Sequence, residues 1–272
     1  MEYLKTYQNY LQTIGYTNKT IKGKIERLTV YLTYSAKNNI LEANHTTIAT
    51  YYQWLQQQKP HCKAITLHYY MITLRQFYDW LHICNYIVDH PFSKIDLLQP
   101  KSDYTRKPIP ENKLFSLWKN TLYDYEKLIL IFGYGCGLRA KELTELKVHH
   151  IDFDRGFVKV TNGKNSKRRS IPLQATHLRY LYQYKIQQGL SPEHTFFTVT
   201  QNTIRIYFKQ MQERLGWQRP YYSLHHLRHS IASHLVDRDM NIELVQLFLG
   251  HSSLQTTQIY VNPIKKVTAW NI

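Results

Sequence analysis

At 272 residues the chain can hold one large domain or two modest ones. A composition of 43% hydrophobic and 20% charged residues, with only 10 Gly and 9 Pro, excludes a disordered, collagenous or linker-dominated chain. The 35 Lys and Arg against 19 Asp and Glu leave a formal charge of +16, which favours a polyanionic partner, with nucleic acid first. The 23 Tyr suit a wet interface, since each offers a flat apolar body and a hydroxyl. Cys62, Cys84 and Cys136 are too few and too scattered for a disulfide framework, and none forms a C-x-x-C pair. No signal-peptide run follows Met1, and no stretch reaches the ~18–20 apolar residues of a membrane span. These features predict a soluble protein of a reducing, cytoplasmic compartment with no membrane partner.

Residues 1–98 read as four helices. Leu4, Tyr7, Leu11 and Ile14 form one apolar stripe, which Gly15 stops. Ile21, Ile25, Leu28 and Leu32 form a second. Thr46 or Thr47 caps a third helix, with Ile48, Tyr51 and Leu55, ending before Pro60. A fourth carries Tyr70, Leu74, Phe77, Leu81 and Cys84. Lys24 and Arg75 are among the basic residues spread over this unit and are expected to touch DNA. Residues 99–110 contain three prolines, which oppose helix and sheet, and predict an extended linker. Its Lys101, Arg106 and Lys107 would lie along a phosphate backbone.

The rest, residues 111–272, is mixed. An amphipathic helix follows Pro110 and runs to Trp118. Tyr125 to Phe132 predicts a buried helix, broken by Gly133, Gly135 and Gly137. Arg139 to Leu146 predicts a short helix with Leu143 and Leu146 inward. Residues 157–160 and 170–173 read as strands flanking Asn162-Gly163, a hairpin-prone pair. Helical patterns return at about 175–188, 203–215, 226–238, 241–249 and 254–261. The expected fold class is therefore mainly α with a small β-sheet.

Three clusters invite chemistry. In Ser223-Leu224-His225-His226-Leu227-Arg228-His229, His225 and His229 share a helix face as in H-E-x-x-H. The Glu of that motif is replaced by His226, and Arg228 would repel a cation, so zinc is disfavoured and no metal is expected. His226 reads as structural. In Leu249-Gly250-His251-Ser252-Ser253, Gly250 ends one helix and a serine caps the next, with Tyr260 two turns in. In Gly135-Cys136-Gly137-Leu138-Arg139-Ala140-Lys141-Glu142-Leu143, Arg139 starts a helix and Glu142, one turn on, can orient its guanidinium. The G-K-[ST] ending of a phosphate loop is absent. Two arginines can grip phosphate oxygens bidentately, and a tyrosine hydroxyl can attack phosphorus.

The strings G-C-G-L-R-x-x-E-L, H-H-L-R-H-S-x-A-S-H-L and L-G-H-S-S-L-Q-T-T-Q-I-Y resemble box I and box II of the tyrosine recombinases, the phage-integrase and Xer-type family. Order, spacing and the nine-residue step from His251 to Tyr260 agree, over residues 110 to 262. The helical N-terminal unit resembles the family's SAM-like core-binding domain more loosely.

The resemblance implies a site-specific DNA recombinase that cuts and rejoins DNA through a 3′-phosphotyrosine, without metal, ATP or other cofactor. It implies Arg139 and Arg228 as the catalytic arginines, His225 as the histidine of H-x-x-R, His251 at the His-or-Trp position and Tyr260 as nucleophile. The β-hairpin lysine corresponds to Lys164, with Lys167 the alternative, in Gly163-Lys164-Asn165-Ser166-Lys167-Arg168-Arg169. Relatives often have Gly where this chain has Asn165. Glu142 is implied to support Arg139, and Lys167 and Arg168 to contact DNA. Double-stranded DNA is the implied partner, clamped by the two domains, with a homotetrameric synapse that engages a second recombinase or does without one. Nucleoid association, a mobile-element role and an apolar tail at Val267 and Trp270 docking on a neighbouring protomer complete the expectations. The competing readings are a type IB topoisomerase-like enzyme and a non-catalytic DNA-binding protein.

Overall fold

The computed structural model describes residues 2–36, 39–100, 107–161 and 168–250. The chain divides into two compact units, Met1–Thr105 and Arg106–Ile272.

The first unit is helical throughout its described residues. Helix α1, Glu2–Thr13, buries Tyr7 and Leu11, while Ile14 lies just beyond its end and is exposed. Thr17 caps α2, Asn18–Tyr34, which buries Ile21, Leu28 and Tyr31. A 3₁₀ turn, Ile40–Glu42, precedes α3, His45–Gln58. The cap of α3 is Asn44 rather than Thr46 or Thr47. Asn44 Oδ1 accepts from the backbone N–H of both threonines, and Thr47 Oγ1 accepts from the N–H of Asn44. Helix α4, Ala64–Ile83, carries the centre of the core through Met71, Leu74, Phe77, Tyr78 and Leu81. Cys84, expected on that apolar stripe, is exposed at the C-cap instead, because the helix ends one residue earlier. Tyrosines make up much of this core: Tyr7, Tyr31, Tyr51 and Tyr78 are each about 1% exposed or less. Tyr31 and Tyr78 pair their hydroxyls at 2.6 Å, and Tyr78 Oη donates to the Ile40 carbonyl at 3.0 Å, so the buried phenols are satisfied.

The second unit starts from the proline-rich segment. Ile109 is fully buried, and its N–H donates to Ser230 Oγ at 2.7 Å. Pro110 caps α5, Glu111–Lys119. Helix α6, Asp124–Leu130, passes into a π-helical turn, Ile131–Gly135, and α7, Ala140–Glu145, follows. As expected, Leu143 and Leu146 point inward. The sheet has three antiparallel strands in the order β1 (Ile151–Asp152), β2 (Phe157–Val160), β3 (Arg169–Pro172). Its register pairs Val158 with Ile171 and Val160 with Arg169. The two-residue β1 carried no readable alternation and was not expected. Helices α8 (Ala175–Gln187), α9 (Gln201–Arg214), α10 (Leu224–Val236) and α11 (Ile242–Leu249) complete the described fold. The expected helix at 254–261 lies outside the described residues. The π-helical turn packs on α10, with the position of a Cβ on Gly133 only 3.0 Å from Leu227 Cδ1. Among the described residues no helix is long and apolar enough to cross a membrane.

Candidate active site

The first wall of the site is built by the chain leaving the π-helical turn. Cys136 N–H donates to the Ile131 carbonyl and Leu138 N–H to that of Phe132, both at 2.9 Å, which folds the backbone back on itself. Gly137 makes that turn at φ +58°, and a Cβ there would sit 3.0 Å from Leu249 and 3.3 Å from Phe248. A left-handed backbone and the close approach of α11 both demand glycine.

The turn delivers Arg139 to the N-cap of α7. Its backbone N–H donates to Glu142 Oε2 and its Nη1 to Glu142 Oε1, each at 2.8 Å. Glu142 is buried and has a second partner. Arg169, on the core-facing side of β3, donates Nη1 to Oε1 at 3.1 Å and Nη2 to Oε2 at 2.7 Å. The Glu142 and Arg169 side chains are 3% and 2% exposed. Burial by itself raises the pKa of the Glu142 carboxyl. The fork and charge of Arg169, then the two donors of Arg139, outweigh it and bring the value down to about 2. Glu142 is therefore an anion at every physiological pH.

Helix α10 supplies the second wall. Ser223 and His226 form a reciprocal cap at its start, with the Ser223 N–H donating to His226 Nδ1 at 3.0 Å. This is the structural role expected of His226. Arg228, one turn in, is 4% exposed. Its Nη1 donates to the Gly137 carbonyl and its Nη2 to the Leu249 carbonyl, both at 2.5 Å. One guanidinium thus ties the turn before Arg139 to the C-terminus of α11. Among the described residues these bonds engage two of its five N–H donors. Burial, then repulsion from Arg139 and Arg169, lowers its pKa to about 9 against the opposing pull of Glu142, so it remains a cation at neutral pH. His225 lies three residues earlier on the same helix and is exposed.

Gly250, at φ +66°, closes α11 in the left-handed conformation, as its position after the apolar run predicts. A Cβ there would meet Arg169 Cδ at 3.1 Å and Nη1 at 3.2 Å.

Arg139 and Glu142 of α7, Arg169 of β3 and Arg228 of α10 are thus brought together from three elements distant in sequence, three cations around one anion. The surplus positive charge, held in a mostly buried frame, can attract an anion, and forked donors suit phosphate. Arg169 was not singled out from the sequence. The available signal was its two-residue spacing from Ile171, which places both on the same face of a strand.

The remaining expectations divide in three. Lys164, Lys167, His251 and Tyr260, and the tail after them, lie outside the described residues. Lys107 and Arg168 are exposed on the second unit, and Arg75 is exposed on the first. Lys24 departs from the solvated charge expected of a DNA contact: it is 7% exposed, its Nζ donates to Gln76 Oε1, and it lies 5.0 Å over the Tyr16 ring. Its aliphatic stem belongs to the α2–α4 seam, which draws the ammonium inward. Among the described residues no three His, Cys, Asp or Glu side chains gather as a metal site.

The phage integrase family matches residues 110–266, and the N-terminal SAM-like domain of phage integrases matches residues 4–83. A tyrosine recombinase of Pseudothermotoga lettingae is 28% identical over 275 residues, 96% of this chain and 93% of its own length. Tyrosine recombinase XerC of Proteus mirabilis is 32% identical over 205 residues, covering 70% of this chain and 65% of the relative. Tyrosine recombinase XerA of Pyrococcus horikoshii is 35% identical over 150 residues, about half of each chain at 52% and 51%. Among solved structures, a lambda integrase (75-356) dimer bound to a core site has a TM-score of 0.74 at 18% identity, over 93% of this chain and 91% of that one. XerH bound to a palindromic substrate has a TM-score of 0.73 at 22% identity, over 86% of this chain and 73% of the other. These structures share the fold. With family matches across both units, the chain belongs to the phage integrase family, the tyrosine recombinases that cut and rejoin DNA.

Proposed function

We propose that this recombinase joins DNA strands through a covalent bond between Tyr260 and a 3′-phosphate. The observation that supports this reading is the fixed arginine pair: buried Arg228 is anchored between the Gly137 and Leu249 carbonyls, and partly exposed Arg139 is held by Glu142. Both keep donors for the non-bridging oxygens of a scissile phosphate. Their fixed forks stabilise the charge that grows as phosphorus becomes five-coordinate, with His251 adding a third donor. His225 takes the phenolic proton as Tyr260 Oη attacks. The Tyr Oη–P bond forms, the P–O5′ bond breaks, and Lys164 gives a proton to the departing 5′-oxygen, with Lys167 as the alternative donor. The phosphodiester energy stays in the phosphotyrosine. A 5′-hydroxyl from the second duplex then attacks it and releases Tyr260, so the exchange consumes no ATP, and the arginines do the work that cations do in two-metal enzymes.

The partner is double-stranded DNA. Exposed Lys107, Arg168 and Arg75 contribute phosphate contacts, with Lys167 from the hairpin. Lys24 acts instead by holding α2 on α4. Exchange between two duplexes calls for four protomers, one per cleaved strand, as a homotetramer or with a second recombinase sharing the synapse. The protein works on chromosomal or mobile-element DNA in the cytoplasm.

A duplex nicked near the scissile phosphate tests the chemistry. The cut fragment diffuses away, so wild-type protein accumulates as an SDS-stable adduct, in EDTA as in Mg²⁺. Tyr260→Phe binds the same DNA and forms no adduct, and peptide mapping puts the DNA on the Tyr260 segment rather than on Tyr221 or Tyr222. An adduct with Tyr260→Phe overturns the assignment.

A further inference from the structure

Glu142 poses an electrostatic problem. A carboxylate that orients a phosphate-binding arginine also cancels its charge. If Glu142 served Arg139 alone, the two would close into a neutral bidentate pair. In this chain the carboxylate is shared. Arg169 occupies both of its oxygens with a fork, at 3.1 and 2.7 Å. Arg139 is left with one side-chain bond, at 2.8 Å, and one backbone bond. Its side chain stays 30% exposed, with its other guanidinium donors outside that bond. Pairing with Val160 in the sheet fixes the Arg169 backbone from which this fork extends. The stem of the same side chain runs against Gly250, where Cδ would lie 3.1 Å from a Cβ. Gly250 immediately precedes His251.

We propose that Arg169 is a positioning residue of the recombination site: it neutralises Glu142, so that Arg139 is held in place with its charge free for the scissile phosphate, and its stem packs against Gly250. The inference rests on the phosphoryl-transfer reading above. It assigns Arg169 no contact with DNA.

Single-turnover cleavage of the nicked duplex at saturating protein, followed from about pH 5 to 9, tests it alongside equilibrium DNA binding and thermal unfolding. Arg169→Lys keeps the charge but loses the fork, and should cleave roughly 10²-fold more slowly with DNA affinity within about threefold of wild type. In Arg169→Met, Glu142 loses its stronger partner and its carboxyl rises toward the working pH range. The cleavage rate should then gain an acid dependence beyond the one that His225 gives wild type, and adding Glu142→Gln should remove the added part. A role confined to stability would lower the melting point and leave the pH profile unchanged.

Arg169→Lys at the wild-type rate and profile overturns the proposal, as does Arg169→Met with the wild-type pH profile. Should Arg169→Lys fail to fold, the uncharged Arg169→Met/Glu142→Gln pair decides: cleavage tenfold or more below wild type supports the proposal, and the wild-type rate overturns it. If wild-type protein itself forms no adduct, the phosphotyrosine reading fails rather than this one.

Discussion

The two units handle buried polarity differently: among the described residues the first buries one charged side chain, Lys24 against Gln76, and the second several. The first fills its core with tyrosines and satisfies them cheaply, as in the chain from Tyr31 to Tyr78 to the Ile40 carbonyl. No hydroxyl there needs a counter-ion. The second buries full charges: Glu142, Arg169 and Arg228 are each about 6% exposed or less, and Glu126 is paired with Arg214 at 2.8 Å. Burying ions costs several kcal/mol each before pairing and hydrogen bonding offset the loss, and hydrophobic residues would often serve stability as well. A charge that must meet phosphate at a defined place cannot be replaced in that way. The first unit thus shows what this chain uses for cohesion, and the second what it uses for positioning.

Arg228→Lys should separate the two most sharply. An ammonium cannot span the Gly137 and Leu249 carbonyls, so one buried acceptor is left bare. We expect about 2–3 kcal/mol lost from the second unit in denaturant melts, and covalent adduct reduced at least ~10³-fold. Arg139→Lys, at the partly exposed partner, should lose comparable activity with much less stability.

Acid should act next. The folded-state pKa of Glu142, about 2, lies below its ordinary value of 4.5. Its contribution is therefore complete above pH 4.5 and lost as pH falls toward 2. The difference corresponds to about 3 kcal/mol. Acid titration of unfolding should show this loss in wild type and not in Glu142→Gln, which should start from lower stability at neutral pH because Arg169 is left buried without its anion. Equal acid slopes for the two proteins would contradict the ion-pair geometry.

Tyr78→Phe offers the contrasting case. It removes the donor to Ile40 O and the acceptor for Tyr31, so the first unit should lose about 1–2 kcal/mol. The cleavage rate at saturating protein should be unchanged. A slowed chemical step would mean that the tyrosine core does more than hold its helices together.

The smallest effect is expected at His226→Ala. The side chain closes the reciprocal cap of α10 with Ser223, and caps of this kind contribute about 1 kcal/mol. Loss of cleavage there beyond a few-fold would move the catalytic register from His225 to His226.

Helices with clean apolar stripes were legible almost to the residue, as with Ile48, Tyr51 and Leu55 in α3 or Ile21 and Leu28 in α2. Each of those positions faces one continuous core, so local period and tertiary burial agree. The failures were local too. Thr47 looked like a cap and instead returns a bond to Asn44, because several hydrogen-bonding residues sit in a row there. Lys24 read as a surface charge because nothing near it in sequence reveals Gln76 and Tyr16.

Among the described residues, the sequence by its own local pattern foretold the α-helices, the strands β2 and β3, the glycines at 137 and 250, and the placing of Arg139 and Glu142 on one helix. These depend on the 3.6- and 2-residue periods, on left-handed turns and on spacing along one helix, all of which act within a few residues. Tertiary structure alone decided that Arg228 would tie two carbonyls 112 residues apart in the chain, Gly137 and Leu249. It also decided that Arg169 would share Glu142 with Arg139. Those bonds join α10, β3 and α7, and a donor's choice among distant acceptors is made only when packing has excluded water and brought them within reach.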